Sequence, residues 1–337
     1  TLDGCSAYTD AIRGWFARHD RWDVDCDLMS LSAGTVKALD VCVQAFTKPG
    51  DGIIIQRPVY PPFMHVVEDN DRMILNNQLI RHTAKDPEGD LYYSIDFDNL
   101  EELAARPEAK MFILCNPHNP VGRVWSVEEL ERMAQICMKH DVLIVADEIH
   151  GDLVCEGITM HHMAQVAPEA RVITCTAVNK TFNLAGLVGS YHIIYNPWLR
   201  DRIAKEASLS HYNAMNVLSM HALIGAYSDD GQVWLDELRQ VLGGNVDFAC
   251  DFIARHFPGV RTAHPQGTYM LFVDCSEWCA QHGRSIADIL RAAWDVGVIV
   301  QDGRPFHGGC HLRMNLALPR ARVEEAFARL ARYVFVD

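Results

Sequence analysis

The sequence has no apolar run of 18 residues, so none of it reads as a membrane-spanning helix. It has no basic excess: 30 Lys and Arg against 44 Asp and Glu leave a net charge of −14 at pH 7. No basic run is interleaved with aromatics, so a phosphate-backbone partner is not expected. No Gly-x-Gly-x-x-Gly follows the first apolar run, and "NKT" (179–181) lacks the glycines of a phosphate loop. A nicotinamide-binding fold and a P-loop are therefore poor readings. The eleven cysteines include no Cys-x-x-Cys; "CSEWC" (Cys275, Cys279) is the closest spacing. They read as reduced thiols of a cytoplasmic protein rather than a disulfide framework. His161 and His162 have neither the spacing nor the partners for zinc, and no metal is expected. The opening "TLDGCSAYTD" is no signal peptide and has no Met. It runs directly into an amphipathic helix pattern, and an upstream segment is expected to be missing from this numbering.

What is present is the profile of an ordinary globular enzyme, 49% apolar and 22% charged over 337 residues. That length predicts two domains. From about 30 to 200, short apolar runs alternate with helical patterns: "DGIIIQ" (51–56), "KMFILC" (110–115), "DVLIVAD" (141–147), "RVITCT" (171–176) and "SYHIIY" (190–195). Between them "SVEELERMAQICMKH" (126–140) carries Ser126 and Glu129 as a capping box. Such alternation predicts an α/β fold, a mostly parallel sheet covered on both faces. After about 240 the pattern changes to a long helix over 232–256, "GTYMLFVDC" (267–275), a helix over 285–297, a strand "VIVQ" (298–301) and a final helix over 322–335. The expected organisation is an N-terminal helix over 1–22, a large domain over 23–240 and a small α+β domain over 241–337.

In open parallel sheets ligands bind beyond the carboxyl ends of the strands. "NPHNPVG" (116–122) follows one such run; two Asn-Pro pairs are ordinary turn chemistry or a rigid polar loop. Asp147 ends the next run, as a helix N-cap or as a carboxylate poised to hold a proton on something cationic. His150 lies near it if a helical turn follows. Lys180 stands just past "RVITCTAV", where an amine is rare unless paired or used; a Lys with a lowered pKa can form a Schiff base. Upstream, "LSAGTVKAL" (31–39) opens a helix at Gly34, Thr35 and Val36, whose bare amides form an anion site. Tyr60, among prolines, is a packed aromatic or a flat surface for a ring. Arg313 sits inside an apolar alternating run and wants a carboxylate. Together these pieces describe a receptacle for a phosphorylated, cationic aromatic aldehyde and a substrate with a carboxylate.

The strings "NPHNPVG", "ADEIH", "NKTFNLAGL" and "LRMNLALPR", in that order over essentially the whole chain, resemble the fold-type I pyridoxal 5′-phosphate enzymes of the aspartate aminotransferase superfamily. "DEIHGDLV" (147–154) and "KTFNLAGL" (180–187) resemble its cystathionine β-lyase or C–S lyase branch, the MalY/PatB-like proteins; typical aminotransferases carry Tyr where this chain has His150. The resemblance implies that Lys180 bonds the cofactor, Asp147 pairs with its ring nitrogen and Asn119 bonds its phenolic oxygen, with His150 near that edge. It implies that Tyr60 stacks on the ring, that Gly34, Thr35 and Val36 hold the phosphate, and that Arg313 takes the substrate carboxylate. Asn179 replaces the family's usual Ser phosphate ligand, Ala177 offers no hydroxyl, and "VQDGRPFHGGC" replaces a more typical Pro-Gly loop. Relatives of this kind are homodimers with the site at the subunit boundary, where the N-terminal segment helps shape the substrate pocket. The implied activity is β-elimination from a sulfur amino acid such as cystathionine or a cysteine S-conjugate; the alternative is a class I/II aminotransferase.

Overall fold

The computed structural model describes residues 6–83, 91–209 and 215–336, so the first five residues of the expected N-terminal segment lie outside the described residues. In chain order its strands are β1 (Met29–Ser32), β2 (Gly52–Ile55), β3 (Met73–Asn76), β4 (Ile80–Thr83), β5 (Leu91–Ser94), β6 (Ala109–Cys115), β7 (Leu143–Asp147), β8 (Val172–Thr176), β9 (Ser190–Ile193), β10 (Arg261–Thr262), β11 (Met270–Asp274), β12 (Gln301–Asp302) and β13 (His311–Asn315). A seven-stranded sheet runs β1-β9-β8-β7-β6-β2-β3. The pairs from β3 through β8 are parallel. "SYHIIY" contributes β9, which pairs antiparallel with both neighbours and is the sheet's exception.

The central strands are apolar throughout because both faces are covered. Met111, Ile113, Leu143, Val145 and Ile173 face one core with Ala38, Leu39 and Cys42 of the helix Thr35–Phe46, and with Phe63 and Val67 of the helix Pro61–Glu68. Phe112, Leu114, Ile144, Ala146 and Val172 face the other, with Leu130, Met133 and Cys137 of the helix Val127–Lys139. Each of those fully buried Leu, Ile, Val and Phe side chains contributes about 1.5–3 kcal/mol. The helix Ser6–His19 sends Tyr8, Ile12, Trp15 and Phe16, spaced for one helical face, into this second core. The capping box at Ser126 and Glu129 is formed as its spacing predicts.

A four-stranded antiparallel sheet, β10-β11-β13-β12, backs a separate core. The period of two does the positioning. Leu271, Val273, Leu312 and Met314 face that core, so Met270, Phe272, His311 and Arg313 face the large sheet's side. The helix Asp229–His256 spans both cores, Leu235 lying in one and Val246, Ala249 and Ile253 in the other.

One local expectation fails and one open reading is closed. "VIVQ" is not a strand over 298–301; only Gln301–Asp302 pair, with Arg313 and Leu312, while Val298 and Val300 fill the small core from irregular backbone. No helix follows Asp147; residues 149–152 form turns. The short strands β1 and β3 and the β4–β5 hairpin were not legible as runs, since each is four residues long and mixed in polarity.

Candidate active site

The carboxyl ends of β6, β7 and β8 open into a cleft of about 750 Å³, and β13 of the four-stranded sheet closes it. All ten residues singled out in the sequence line it: Gly34, Thr35, Val36, Tyr60, Asn119, Asp147, His150, Asn179, Lys180 and Arg313.

Asp147 reaches it by register. It pairs with Cys115 on β6 and Cys175 on β8, on the face that the helix Thr35–Phe46 covers. Its Oδ1 accepts the Ile149 N–H at 3.2 Å. Burial pushes its carboxyl up to about 7, against the opposing pull of that N–H and of the Lys180 ammonium. Lys180 and Asn179 follow β8 in a turn closed by Leu184 N–H on the Asn179 carbonyl, 2.9 Å. Thr181 Oγ1 next door donates to Asp152 Oδ2 at 2.9 Å, and Trp15 Nε1 donates to Asp152 Oδ1 at 2.8 Å. The lysine turn is thereby tied to the first helix.

Gly34 caps the helix Thr35–Phe46 at φ +94°, a backbone that side chains resist. Space is not the constraint, for a Cβ there would meet only Val188 Cγ1, at 3.5 Å. The first amides of this helix lack intrahelical partners and face the cleft with the positive end of the dipole. Tyr60 caps the helix Pro61–Glu68, where two prolines set the entry, and packs edge-on to Phe63 with centroids 6.3 Å apart.

The loop after β6 is pinned by Asn116, whose side chain accepts from Trp125 N (3.2 Å) and donates to the His161 carbonyl (2.9 Å). That leaves Asn119 free to reach across the cleft, where its Oδ1 accepts Arg313 Nη1 at 3.0 Å. Arg313 also donates from Nε to Gln301 Oε1 at 2.7 Å, and its guanidinium lies 4.4 Å from the Phe306 ring centroid. Burial lowers its pKa below the ordinary guanidinium value. His150 is buried with Nδ1 unpartnered among the described residues, edge-on to Tyr269 at 5.6 Å. Burial, then the Lys180 and Arg313 charges, push its pKa down to about 3.

Three residues escaped the sequence reading. Gln301 and Phe306 become legible only once β12 pairs with β13. Tyr269 lines the cleft beside Met270, presented by Thr268 at φ +70°. A threonine between Gly267 and an aromatic was the available signal, and it is weak.

Residues 1–330 match the family described as aminotransferase class I and II. The chain is 36% identical to cystathionine beta-lyase PatB of Bacillus subtilis, covering 95% of this chain and 81% of that protein. It is 29% identical to protein MalY of Escherichia coli, over 95% of this chain and 80% of that one. The PLP-bound C-S lyase from Staphylococcus hominis superposes with a TM-score of 0.90 at 29% identity, covering 98% of this chain and 82% of that one. On these matches, the chain belongs to the class I and II aminotransferase family.

Proposed function

We propose that this protein is a pyridoxal 5′-phosphate-dependent carbon–sulfur lyase, releasing thiol, pyruvate and ammonia from cystathionine or a cysteine S-conjugate. One observation carries the reading: an amine, a buried carboxylate, an amide and a buried guanidinium from four distant segments converge on one cleft. The cleft suits the cofactor on its own evidence. Asn179 Oδ1 and His150 Nδ1 are buried polar atoms without partners among the described residues, and Asp147 is a buried acid with no cation bonded to it. A helix N-terminus capped by glycine faces the same space, suited to a phosphate.

When bound, the cofactor supplies an electron sink for the bond broken at the substrate's Cα. The protein's groups do the rest. Lys180 Nζ is the amine that would hold the cofactor's aldehyde, and it would serve as base for the substrate's Cα proton. Asp147 holds a proton on the ring nitrogen, a role for which its pull toward neutrality when alone is the counterpart. Asn119 and His150 bond the phenolic edge; His150 does so as a neutral ring, given its depressed pKa. Tyr60 stacks on the ring. Gly34, Thr35, Val36 and Asn179 hold the phosphate. Arg313, oriented by Gln301, takes the substrate carboxylate.

Aminotransferase is the second reading, because the same family includes aspartate aminotransferase of Geobacillus stearothermophilus, 26% identical over 98% of this chain. The lyase relatives are more similar, and His150 stands where aminotransferases carry Tyr. Pyruvate released from cystathionine without added keto acid supports lyase; amino transfer to 2-oxoglutarate without pyruvate release overturns it. Lys180→Ala should abolish the visible absorption band of the purified protein, and an unchanged band would place the covalent bond elsewhere.

The working unit in this reading is a homodimer. Val36 and Val188 are exposed at the cleft rim, where a second copy would cover them. Light scattering on the purified protein tests this, and a monomer that retains full activity would refute it. No helix among the described residues is long and apolar enough to cross a membrane.

A further inference from the structure

Cys279 is four residues from Cys275, but its sulfur partner lies elsewhere. Cys310 Sγ sits 3.0 Å from Cys279 Sγ, across 31 positions of sequence. Tertiary structure makes this contact. Asp274 pairs with His311 in the β11–β13 ladder, and Cys275 N–H continues that ladder to the Cys310 carbonyl at 2.9 Å. The helix Ser276–His282 then turns once, with Cys279 N–H on the Cys275 carbonyl at 2.9 Å, and lays Cys279 over Cys310. Cys279 is buried at 7% exposure, whereas Cys310 is half-buried at the end of the loop before β13. A pair with one residue partly exposed and the other buried has the layout of an attacking thiol and a resolving thiol.

We propose that Cys310 and Cys279 form a redox-active thiol pair that exchanges with small-molecule disulfides. The Cys310 thiolate attacks one sulfur of a disulfide RSSR; that S–S bond breaks and one RS⁻ leaves and is protonated. Cys279, giving its proton to solvent, then attacks Cys310 Sγ and expels the second RS⁻. The pair loses two electrons and two protons, and RSSR becomes two RSH. Burial, and the hydrogen bond with Cys310, push Cys279 up to about 12, which suits the slower, resolving role. The product bridge ties the helix Ser276–His282 to the base of β13, the strand that carries Arg313. This inference stands on the sulfur geometry alone and is independent of the lyase reading.

The test uses glutathione disulfide on the purified full-length protein with its cofactor, followed by alkylation, digestion and peptide mapping without reduction. The expected product is a Cys279–Cys310 bridge, with two fewer alkylatable thiols and a higher thermal midpoint than the reduced protein. Cys275→Ser should keep both the bridge and the shift. Cys279→Ser should stop at one glutathione adduct on Cys310, and Cys310→Ser should give neither bridge nor adduct. A bridge between Cys275 and Cys310, a lasting adduct on Cys310 of the unsubstituted protein, or no reaction at Cys310 would each overturn the proposal.

Discussion

Asp147 shows how one residue carries opposite costs with and without a ligand. Its folded pKa of about 7 lies above the ordinary 3.8. Below pH 3.8 it is neutral folded or unfolded, and its favourable contribution is complete. As pH rises from there through about 7, the unfolded chain sheds the proton freely and the fold does not, so cofactor-free protein loses on the order of 4 kcal/mol. Asp147→Asn should remove that loss, so denaturant midpoints of cofactor-free variant and parent should diverge between about pH 4.5 and 7.5, in the variant's favour. Equal pH slopes would mean the carboxyl is not buried in its charged form. Gln301 is a positioning residue for Arg313. Gln301→Leu should raise KM about tenfold, the equivalent of roughly 1.4 kcal/mol, with kcat little changed; steady-state kinetics on cystathionine separate the two.

Single elements act through their ends. The helix Thr35–Phe46 begins with a glycine at φ +94°, and its amides are the candidate phosphate site. Gly34→Ala places a side chain in that conformation at a cost of about 1–3 kcal/mol. It should weaken cofactor affinity roughly tenfold or more, read by titrating cofactor-free protein and following absorbance. The helix Val127–Lys139 is remote from the cleft and its cap is purely structural. Ser126→Ala should cost about 1 kcal/mol in denaturant stability and leave cofactor affinity unchanged. These element ends were legible in sequence because capping boxes and glycine-led helix starts are local patterns. β1, β3 and the β4–β5 hairpin were not, because four-residue strands of mixed polarity get their identity from their neighbours.

Across the whole molecule a buried charge cluster joins the first helix to the site. His162 Nδ1 lies 2.5 Å from Glu148 Oε2, and its Nε2 lies 3.2 Å from Asp20 Oδ2 at the end of that helix. Burial opposes the imidazolium, but Glu148 and Asp20 prevail and hold it up to about 10. Its contribution is therefore full below 6.5 and fades as pH rises through about 10. His162→Gln strands Glu148, which is 1% exposed beside Asp147, and should cost about 3–5 kcal/mol near pH 7, less near pH 10. Denaturation at both pH values measures the gap, and a pH-independent difference would show that the histidine is not charged.

The sequence alone determined where the parallel core strands lie along the chain, the polar residues that end them and the chemical inventory of the cleft. Those are local properties: hydrophobic period, caps and turns act within a few residues. Tertiary structure alone decided that Asn119 meets Arg313 across 194 positions, that Gln301 orients that arginine, that β9 runs against its neighbours, and that Cys279 faces Cys310 rather than Cys275. Each depends on register and on how two cores pack; even Gln301 and Arg313, 12 positions apart, meet only because β12 pairs with β13.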